Sequence, residues 1–375
     1  MPVFVFMVHI LYMDYELKNE DLGYSDFFES KRKEMGLDGF EVARILSENR
    51  GSYEVINEHG KFLAKITGKQ MFNALSREDY PAVGDWVAIT ELDCEQAVIN
   101  AMLPRETIIK RKYGDKDRGG NKIDVQIIGA NIDYAFVVES IGKDYNLNRF
   151  ERYFSIINDG GIEPVIILNK IDLISKEELS LKAEEIKKRF NGVDIILTSV
   201  VNSNGLDELR EYIKKGKTYC FLGSSGVGKS SLINKLIGED SIEVGKISEH
   251  NKEGKHTTTR REMYFLKSGG IVIDNPGIRE VGMTDNTIGI DNVFDEIAEL
   301  GKKCKFSDCS HISESGCEVL KALKEGRLDR KKYDNYISLK KEAEYYEMSD
   351  FERREKDRDF GKFIKKAKED LKKYK

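Results

Sequence analysis

Residues 219–231 read YCFLGSSGVGKSS, an apolar run that ends in a glycine-rich turn and continues into a helix-like segment. The letters fit the phosphate-loop pattern Gly-x-x-x-x-Gly-Lys-Ser in its required strand–loop–helix setting. Glycines let backbone N–H groups curl around phosphate oxygens at a helix N-terminus. In that arrangement Lys229 would hold the β- and γ-phosphates and Ser230 would coordinate Mg²⁺. The predicted phosphate-binding residues are Gly223, Ser224, Ser225, Gly226, Val227, Gly228, Lys229, Ser230 and Ser231.

The base of the nucleotide is indicated by a motif further upstream, Asn169-Lys170-Ile171-Asp172, at the end of the apolar run PVIILN. The carboxylate of Asp172 can accept two parallel hydrogen bonds from N1–H and the 2-amino group of guanine, a pairing that adenine cannot offer. Alone, the motif could be a surface turn with an Asx cap. Its combination with the phosphate loop favours guanine. Thr198 and Ser199, after the run DIIL, are predicted to form the loop that closes over the base.

Two segments downstream supply the remaining parts of a nucleotide site. The run IVID ends in Asp-x-x-Gly, where Asp274 would bind Mg²⁺ through water and the N–H of Gly277 would sense the γ-phosphate. The stretch GKHTTTR at 254–260 is polar and predicts a mobile loop with a threonine that reaches the metal. Thr258 or Thr257 would take that role, and the sequence does not distinguish between them.

The residue after Asp-x-x-Gly is Ile278, whose aliphatic side chain can neither orient nor polarise an attacking water. Many GTPases position this water with a glutamine. We therefore expect slow intrinsic hydrolysis and a catalytic group from elsewhere. His256 is the internal candidate, and a partner could supply the group instead. A purely structural loop histidine is an equally open interpretation of His256.

The order of the motifs along the chain is base, base loop, phosphate loop, threonine loop and Asp-x-x-Gly. An ordinary GTPase domain begins with the phosphate loop and finishes with the base motifs. The same sheet can be assembled from either order, because the ends of α/β domains often lie close together. Apolar runs that alternate with amphipathic helical patterns agree with a parallel α/β sheet. We therefore expect a circularly permuted GTPase domain over residues 113–282, running directly into the C-terminal region.

A cysteine cluster lies in that C-terminal region, in CKFSDCSHISESGC at 304–317. Three thiolates and an imidazole match a closed tetrahedral site for one zinc ion, in a reducing compartment. The spacing is not one of the commonest finger patterns, so scattered buried cysteines are the alternative. Cys94 and Cys220 are predicted to be packing residues on strands. The candidate zinc ligands are Cys304, Cys309, His311 and Cys317.

The rest of the 375-residue chain suggests flanking domains. Its 61 Lys plus Arg against 66 Asp plus Glu give no global basic character, so any RNA contact must come from local patches. Residues 38–112 contain short strand patterns with turn signals, typical of an OB-type β-barrel that binds RNA or serves only as a spacer. Residues 283–375 are predicted to be helical and are locally basic near their end, as a solvated helix face can also be.

Residues 1–37 form a predicted N-terminal extension. Residues 1–12 are apolar but too short to span a bilayer, and they lack a cleavage site. They are either an upstream extension that the functional protein does not need or a first strand or docking segment. We expect no membrane association and a cytoplasmic location.

Taken together, the motifs resemble the RsgA family of circularly permuted, small-ribosomal-subunit-dependent GTPases. The resemblance covers about residues 38–320 and is carried by NKID, GSSGVGKSS, GKHTTTR, DNPG, the cysteine cluster and PAVGDWV. It implies an OB barrel, a permuted GTPase centre and a C-terminal zinc domain that act on the 30S subunit and its 16S rRNA late in maturation. It also implies GTP and GDP as ligands and hydrolysis stimulated by the subunit. Asn275, where the family commonly has Thr, is a mild departure.

Two other functions account for fewer of these motifs. A passive RNA-binding module with structural GTP would not need the Asp-x-x-Gly and threonine segments. A P-loop ATPase or kinase would not need Asn169 and Asp172. We therefore expect a monomeric GTP hydrolase that requires Mg²⁺ with GTP and one Zn²⁺ per chain.

Overall fold

The computed structural model describes residues 17–49, 51–114, 123–142, 145–242, 261–274 and 288–349, together with 351–353, 355–356, 358–359 and 362. Its strands are β1 Glu41–Asn49, β2 Ser52–Asn57, β3 Gly60–Ile66, β4 Trp86–Glu91, β5 Gln96–Met102, β6 Ile108–Gly114, β7 Ile123–Ala130, β8 Tyr134–Ser140, β9 Glu163–Asn169, β10 Ile195–Thr198, β11 Thr218–Leu222, β12 Ser241–Ile242, β13 Glu262–Leu266 and β14 Ile271–Asp274. Its α-helices are α1 Asp26–Glu34, α2 Gly68–Asn73, α3 Leu147–Asp159, α4 Lys176–Arg189, α5 Leu206–Tyr212, α6 Lys229–Asp240, α7 Ile288–Val293, α8 Asp295–Gly301, α9 Glu318–Lys324 and α10 Arg330–Glu347.

The N-terminal part is a closed five-stranded barrel. Strands β1, β2, β3, β5 and β4 pair in that order, and β4 pairs back onto β1. Alternate side chains of each strand point inward, as the period of two requires. The barrel predicted from the short strand patterns is therefore confirmed. Its interior is filled by Ala43, Ile45, Tyr53, Val55, Phe62, Ala64, Val87, Ile89, Ala97 and Ile99.

The central part is an α/β sheet with the strand order β10-β9-β8-β11-β14-β13. All neighbouring pairs are parallel except β14 with β13. The strand that leads into the phosphate loop, β11, lies in the middle although it is the fourth of these strands along the chain. The sheet therefore has the permuted order that the sequence of motifs predicts.

The barrel and the α/β sheet are joined through backbone pairing and a buried cation. Strand β1 pairs with β13, so that the two sheets are continuous. On β1, the buried guanidinium of Arg44 donates hydrogen bonds to the carbonyls of Leu22, Gly84 and Asn131. A Cβ at Gly84 would lie 2.1 Å from the carbonyl oxygen of Ala130. This joint leaves no space for a side chain at the closest approach.

The N-terminal extension and the two cysteines outside the cluster differ in how well they match the predictions. Helix α1 lies within the predicted extension and packs Phe28 against Trp86, while residues 1–12 lie outside the described residues. Cys220 is buried on β11, as predicted. Cys94 is exposed in a bend between β4 and β5, so its prediction as a packing residue on a strand is wrong. An exposed bend offers a thiol no apolar neighbours to pack against.

The C-terminal part consists of α7 to α10, packed on the side of the sheet that α3 covers. The close approach of α7 to α3 is visible at Gly289, where a Cβ would lie 2.0 Å from the carbonyl oxygen of Ser155. Phe294 and Tyr336 meet edge to face between the helices. Across the described ranges, no helix combines the length and apolar character needed to cross a bilayer.

Candidate functional site

The phosphate loop connects β11 to α6 and relies on three glycines with positive φ. Gly223, Gly226 and Gly228 have φ values of 145°, 83° and 102°. A Cβ at Gly223 would lie 2.2 Å from the carbonyl oxygen of Val138, and a Cβ at Gly228 would lie 2.2 Å from Nδ2 of Asn169. Glycine is therefore favoured by conformation at all three positions, and by space as well at Gly223 and Gly228.

Lys229 extends its ammonium into this loop. Its Nζ donates hydrogen bonds to the carbonyls of Gly223, at 2.6 Å, and Ser224, at 2.7 Å. Burial lowers the pKa of Lys229 to about 8, and the negative charges of Glu139 and Asp274 partly oppose that shift. The loop thus holds a cation where the sequence predicts the β- and γ-phosphates.

The Asn-Lys-x-Asp motif follows β9 and contacts the phosphate loop directly. Nδ2 of the buried Asn169 donates to the carbonyl of Val227 at 2.9 Å, and Oδ1 accepts from Oγ1 of Thr198 at 3.0 Å. Lys170, in the left-handed region with φ 61°, donates from Nζ to the carbonyl of Gly226 at 2.7 Å. Asn169 therefore ties the base motif, the base loop and the phosphate loop together.

The base loop is also linked to the carboxylate of the motif, because the hydroxyl of Ser199 donates to Oδ1 of Asp172. Ser199 and Thr198 are buried, whereas Asp172 is exposed enough to meet a ligand. Ile171 opens the short 3₁₀ turn that carries Asp172. The structure thus brings the residues of both predicted base segments into one place.

Asp274 is the last residue of β14, directly beside β11. The carboxyl ends of parallel strands form the edge at which α/β sheets bind ligands. Asp274 therefore lies at the same edge as the phosphate loop. The predicted residues that lie outside the described residues are His256, Thr257, Thr258, Gly277 and Ile278.

Three residues near the phosphate loop were not predicted from the sequence. Glu139 is buried on β8, two positions beyond the Val137–Leu222 pair, which places it level with Ser224. Tyr153 on α3 is buried and its hydroxyl interacts with the side chain of Ser224, and Arg149 lies one turn earlier on the same helix. A carboxylate inside the apolar run YAFVVES was the available signal for Glu139. No local pattern pointed to Tyr153 or Arg149.

The cysteine cluster is a compact group of four potential metal ligands. Cys304 Sγ lies 3.8 Å from Cys317 Sγ and 3.6 Å from Nδ1 of His311, and Cys317 Sγ lies 3.4 Å from the same nitrogen. Cys309 Sγ lies within 4.8 Å of each of the other three ligand atoms. A tetrahedron with Zn–S of about 2.3 Å and Zn–N of about 2.0 Å has S–S edges of about 3.8 Å and S–N edges of about 3.5 Å. The residues therefore fit a zinc ion.

Comparison with protein families gives a match over the centre of the chain. Residues 102–284 match the family model described as RsgA GTPase. The small ribosomal subunit biogenesis GTPase RsgA 1 of Bacteroides thetaiotaomicron is 37% identical over 327 residues, which cover 87% of this chain and 89% of that protein. RsgA 2 of Vibrio vulnificus is 33% identical over 354 residues, covering 94% of this chain and 96% of that protein.

Two solved structures are similar to this fold. YjeQ from Thermotoga maritima superposes with a TM-score of 0.60 at 26% identity, covering 80% of this chain and 98% of YjeQ. YloQ, described as a circularly permuted GTPase, superposes with a TM-score of 0.58 at 23% identity, covering 81% of this chain and 95% of YloQ. The description of YloQ as circularly permuted agrees with the strand order found here.

Proposed function

The chain belongs to the RsgA family of GTPases, and we propose that it binds the 30S ribosomal subunit and hydrolyses GTP to complete or check late maturation of that subunit. The observation that carries the proposal is the convergence of the phosphate loop, the Asn-Lys-x-Asp motif and Asp274 at one edge of a permuted sheet. Curated relatives over most of the chain carry the name small ribosomal subunit biogenesis GTPase.

We propose that the nucleotide lies along this edge in one orientation. Asp172 accepts the guanine hydrogens, while Asn169 fixes the base loop, with Thr198 and Ser199, against the phosphate loop. The backbone N–H groups of residues 223–231 and the ammonium of Lys229 hold the phosphates. Ser230 and Asp274 are the described residues that would hold Mg²⁺, which neutralises phosphate charge when it is bound with GTP.

After Asp-x-x-Gly, many GTPases carry a glutamine that positions the attacking water, and this chain has Ile278 at that position. His256 is our internal candidate for the water-positioning group, while Thr258 would reach Mg²⁺ and Gly277 would sense the γ-phosphate; all three lie outside the described residues. A group supplied by the 30S subunit is the alternative, because stimulation in trans is a recurrent device in GTPases. Either origin predicts slow turnover by the free protein.

We further propose that the cysteine cluster holds one zinc ion and that the 16S rRNA is the contact surface on the subunit. The donor set and the distances of the cluster support zinc. We retain domains at 1–37, 38–112, 113–282 and 283–375, a monomeric protein, and a cytoplasmic location, where free thiolates remain reduced.

The test is GTP turnover by the purified protein with and without 30S subunits. We expect slow turnover alone and a rise of about 10³-fold or more with subunits, as for GTPases that receive a catalytic group in trans. The rise should shrink with added salt, because RNA contacts depend on phosphate charge. Equal turnover with and without subunits would overturn the proposal.

Asp172→Asn tests the base assignment separately. The amide would place a donor where guanine also offers a donor, so GTP affinity should fall by about 2–4 kcal/mol. Xanthosine triphosphate, which has an acceptor in place of the 2-amino group, should bind the variant better than it binds the parent protein. Direct titration of both nucleotides measures this. Unchanged affinity for GTP would remove Asp172 from the site.

A further inference from the structure

One face of helix α3 lies next to residues in and beside the phosphate loop. Arg149 and Tyr153 are four positions apart and therefore share that face. Tyr153 is buried, and the side chain of Ser224 in the phosphate loop acts on its hydroxyl. Nη1 of Arg149 lies 3.4 Å from Oε1 of Glu139, the buried carboxylate whose charge acts on Lys229. A shift of α3 would therefore move side chains that contact residues in and beside the phosphate loop.

An adjacent face of α3 is held by α10 from the C-terminal part. Arg152 forms a two-pronged pair with Glu342, with Nη1–Oε1 at 2.7 Å and Nη2–Oε2 at 2.6 Å. Nδ2 of Asn335 donates to Oε2 of Glu151 at 2.5 Å and to the carbonyl of Asn148 at 3.3 Å. Fork-to-fork pairs of this kind fix direction as well as distance. Helix α10 therefore supplies directional contacts that constrain this face of α3.

The same helix is anchored to the cysteine cluster near its N-terminus. The hydroxyl of Tyr333 donates to the carbonyl of His311 at 2.7 Å. Tyr333 and Glu342 both belong to α10, so one helix connects the cluster to α3. The contact of α10 with α3 adds to the chain connection by which the segment after Asp-x-x-Gly runs into the C-terminal region.

We propose that Arg152 and Glu342 are positioning residues for GTP hydrolysis, which act on the phosphate loop through α3. The inference rests on the proposed function, since it concerns the same site. The pair is partly exposed, with 33% and 26% of the two side chains accessible, so it is a contact that can be adjusted. A small displacement of positioned groups costs rate far more than affinity. The pair should therefore affect kcat rather than the KM for GTP.

The experiment uses the full chain with Glu342→Gln, Arg152→Gln and the charge-exchanged double variant Arg152→Glu/Glu342→Arg. We expect kcat to fall about tenfold in each single variant, within the usual range of coupling between sites, with KM changed less than twofold. The exchanged pair should recover most of the rate. Lys332→Gln is the matched control, because Lys332 is on the same helix but pairs with Glu296 in the C-terminal part, at 3.5 Å.

Each rate is measured with and without 30S subunits, alongside the melting temperature. If the wild-type rate does not respond to subunits, the proposed function fails, while the comparison of variants in the free protein still tests the positioning role. Parent-like kcat in Glu342→Gln would overturn the inference. A second result would also overturn it. In that result Glu342→Gln lowers the melting temperature, the exchanged pair restores it, and kcat stays at the parent value throughout, so that the pair only stabilises the fold.

Discussion

The barrel and the C-terminal helices are attached to the same α/β sheet by different kinds of contact. The barrel is joined by backbone pairing of β1 with β13 and by the buried guanidinium of Arg44, which is bound to three carbonyls. The C-terminal helices contact α3 through packing and through the partly exposed Arg152–Glu342 pair. Buried polar groups are costly to leave unpaired, whereas exposed pairs are weak. The Arg152–Glu342 contact should therefore be easier to displace than the buried joint at Arg44.

The barrel attachment includes β13, the strand that follows the threonine segment. Glu262 of β13 is the partner of Ser47 in the barrel, and Nη1 of Arg261 donates to the carbonyl of Ile127 at 2.6 Å. The C-terminal attachment includes α3, whose Tyr153 interacts with Ser224 of the phosphate loop. The two attachments thus reach different segments of the nucleotide site, and variants can separate them.

The largest expected effect comes from removing a ligand of the cysteine cluster, to which α10 of the C-terminal attachment is anchored. Cys309→Ser removes one of four ligands and should strongly lower zinc content, since structural zinc contributes on the order of 10 kcal/mol to the folding of small metal-binding segments. Hydrogen exchange should rise over residues 291–330 while the barrel and the α/β sheet keep their protection. Cys94→Ser, at the exposed cysteine outside the cluster, is the control. Stoichiometric zinc in Cys309→Ser by elemental analysis would contradict the assignment.

The next effect comes from breaking the barrel attachment. Gly84→Ala places a methyl group 2.1 Å from a backbone oxygen at φ 95°, so the joint must open, at a cost of about 3 kcal/mol or more. Gly51→Ala has a similar φ of 84° but no atom within 4 Å, and should cost only about 1 kcal/mol. Urea unfolding measures both. Equal losses would mean that the close approach at Gly84 is not part of a rigid joint.

The smallest expected effect is the loss of stability on breaking the Arg152–Glu342 pair. Glu342→Gln should reduce the free energy of unfolding by no more than about 1 kcal/mol, because the pair is partly exposed to solvent. Lys332→Gln should cost about 0.5 kcal/mol or less for the same reason. Urea unfolding again provides the measurement. A loss from Glu342→Gln as large as that from Gly84→Ala would show that the two attachments are equally rigid.

The sequence alone determined the features whose chemistry lies in contiguous residues. The phosphate loop, the Asn-Lys-x-Asp motif and the barrel strands each express a local rule of backbone geometry or periodicity. Their order along the chain predicted the permuted sheet, and the strand order confirmed it. The zinc ion and the roles of the individual site residues stay predictions, and the cysteine at position 94 was misplaced because short apolar runs do not mark where a strand ends.

Tertiary structure alone decided the contacts between residues that are distant in sequence. Arg152 and Glu342 are 190 positions apart, and Arg44 and Asn131 are 87 apart, so no local pattern links the partners. Glu139 was visible as a charge in an apolar strand, but its place beneath the phosphate loop depends on the pairing of β8 with β11. A motif records what a segment binds, because its geometry is local. How one domain acts on another depends on side chains that meet only after the whole chain has folded.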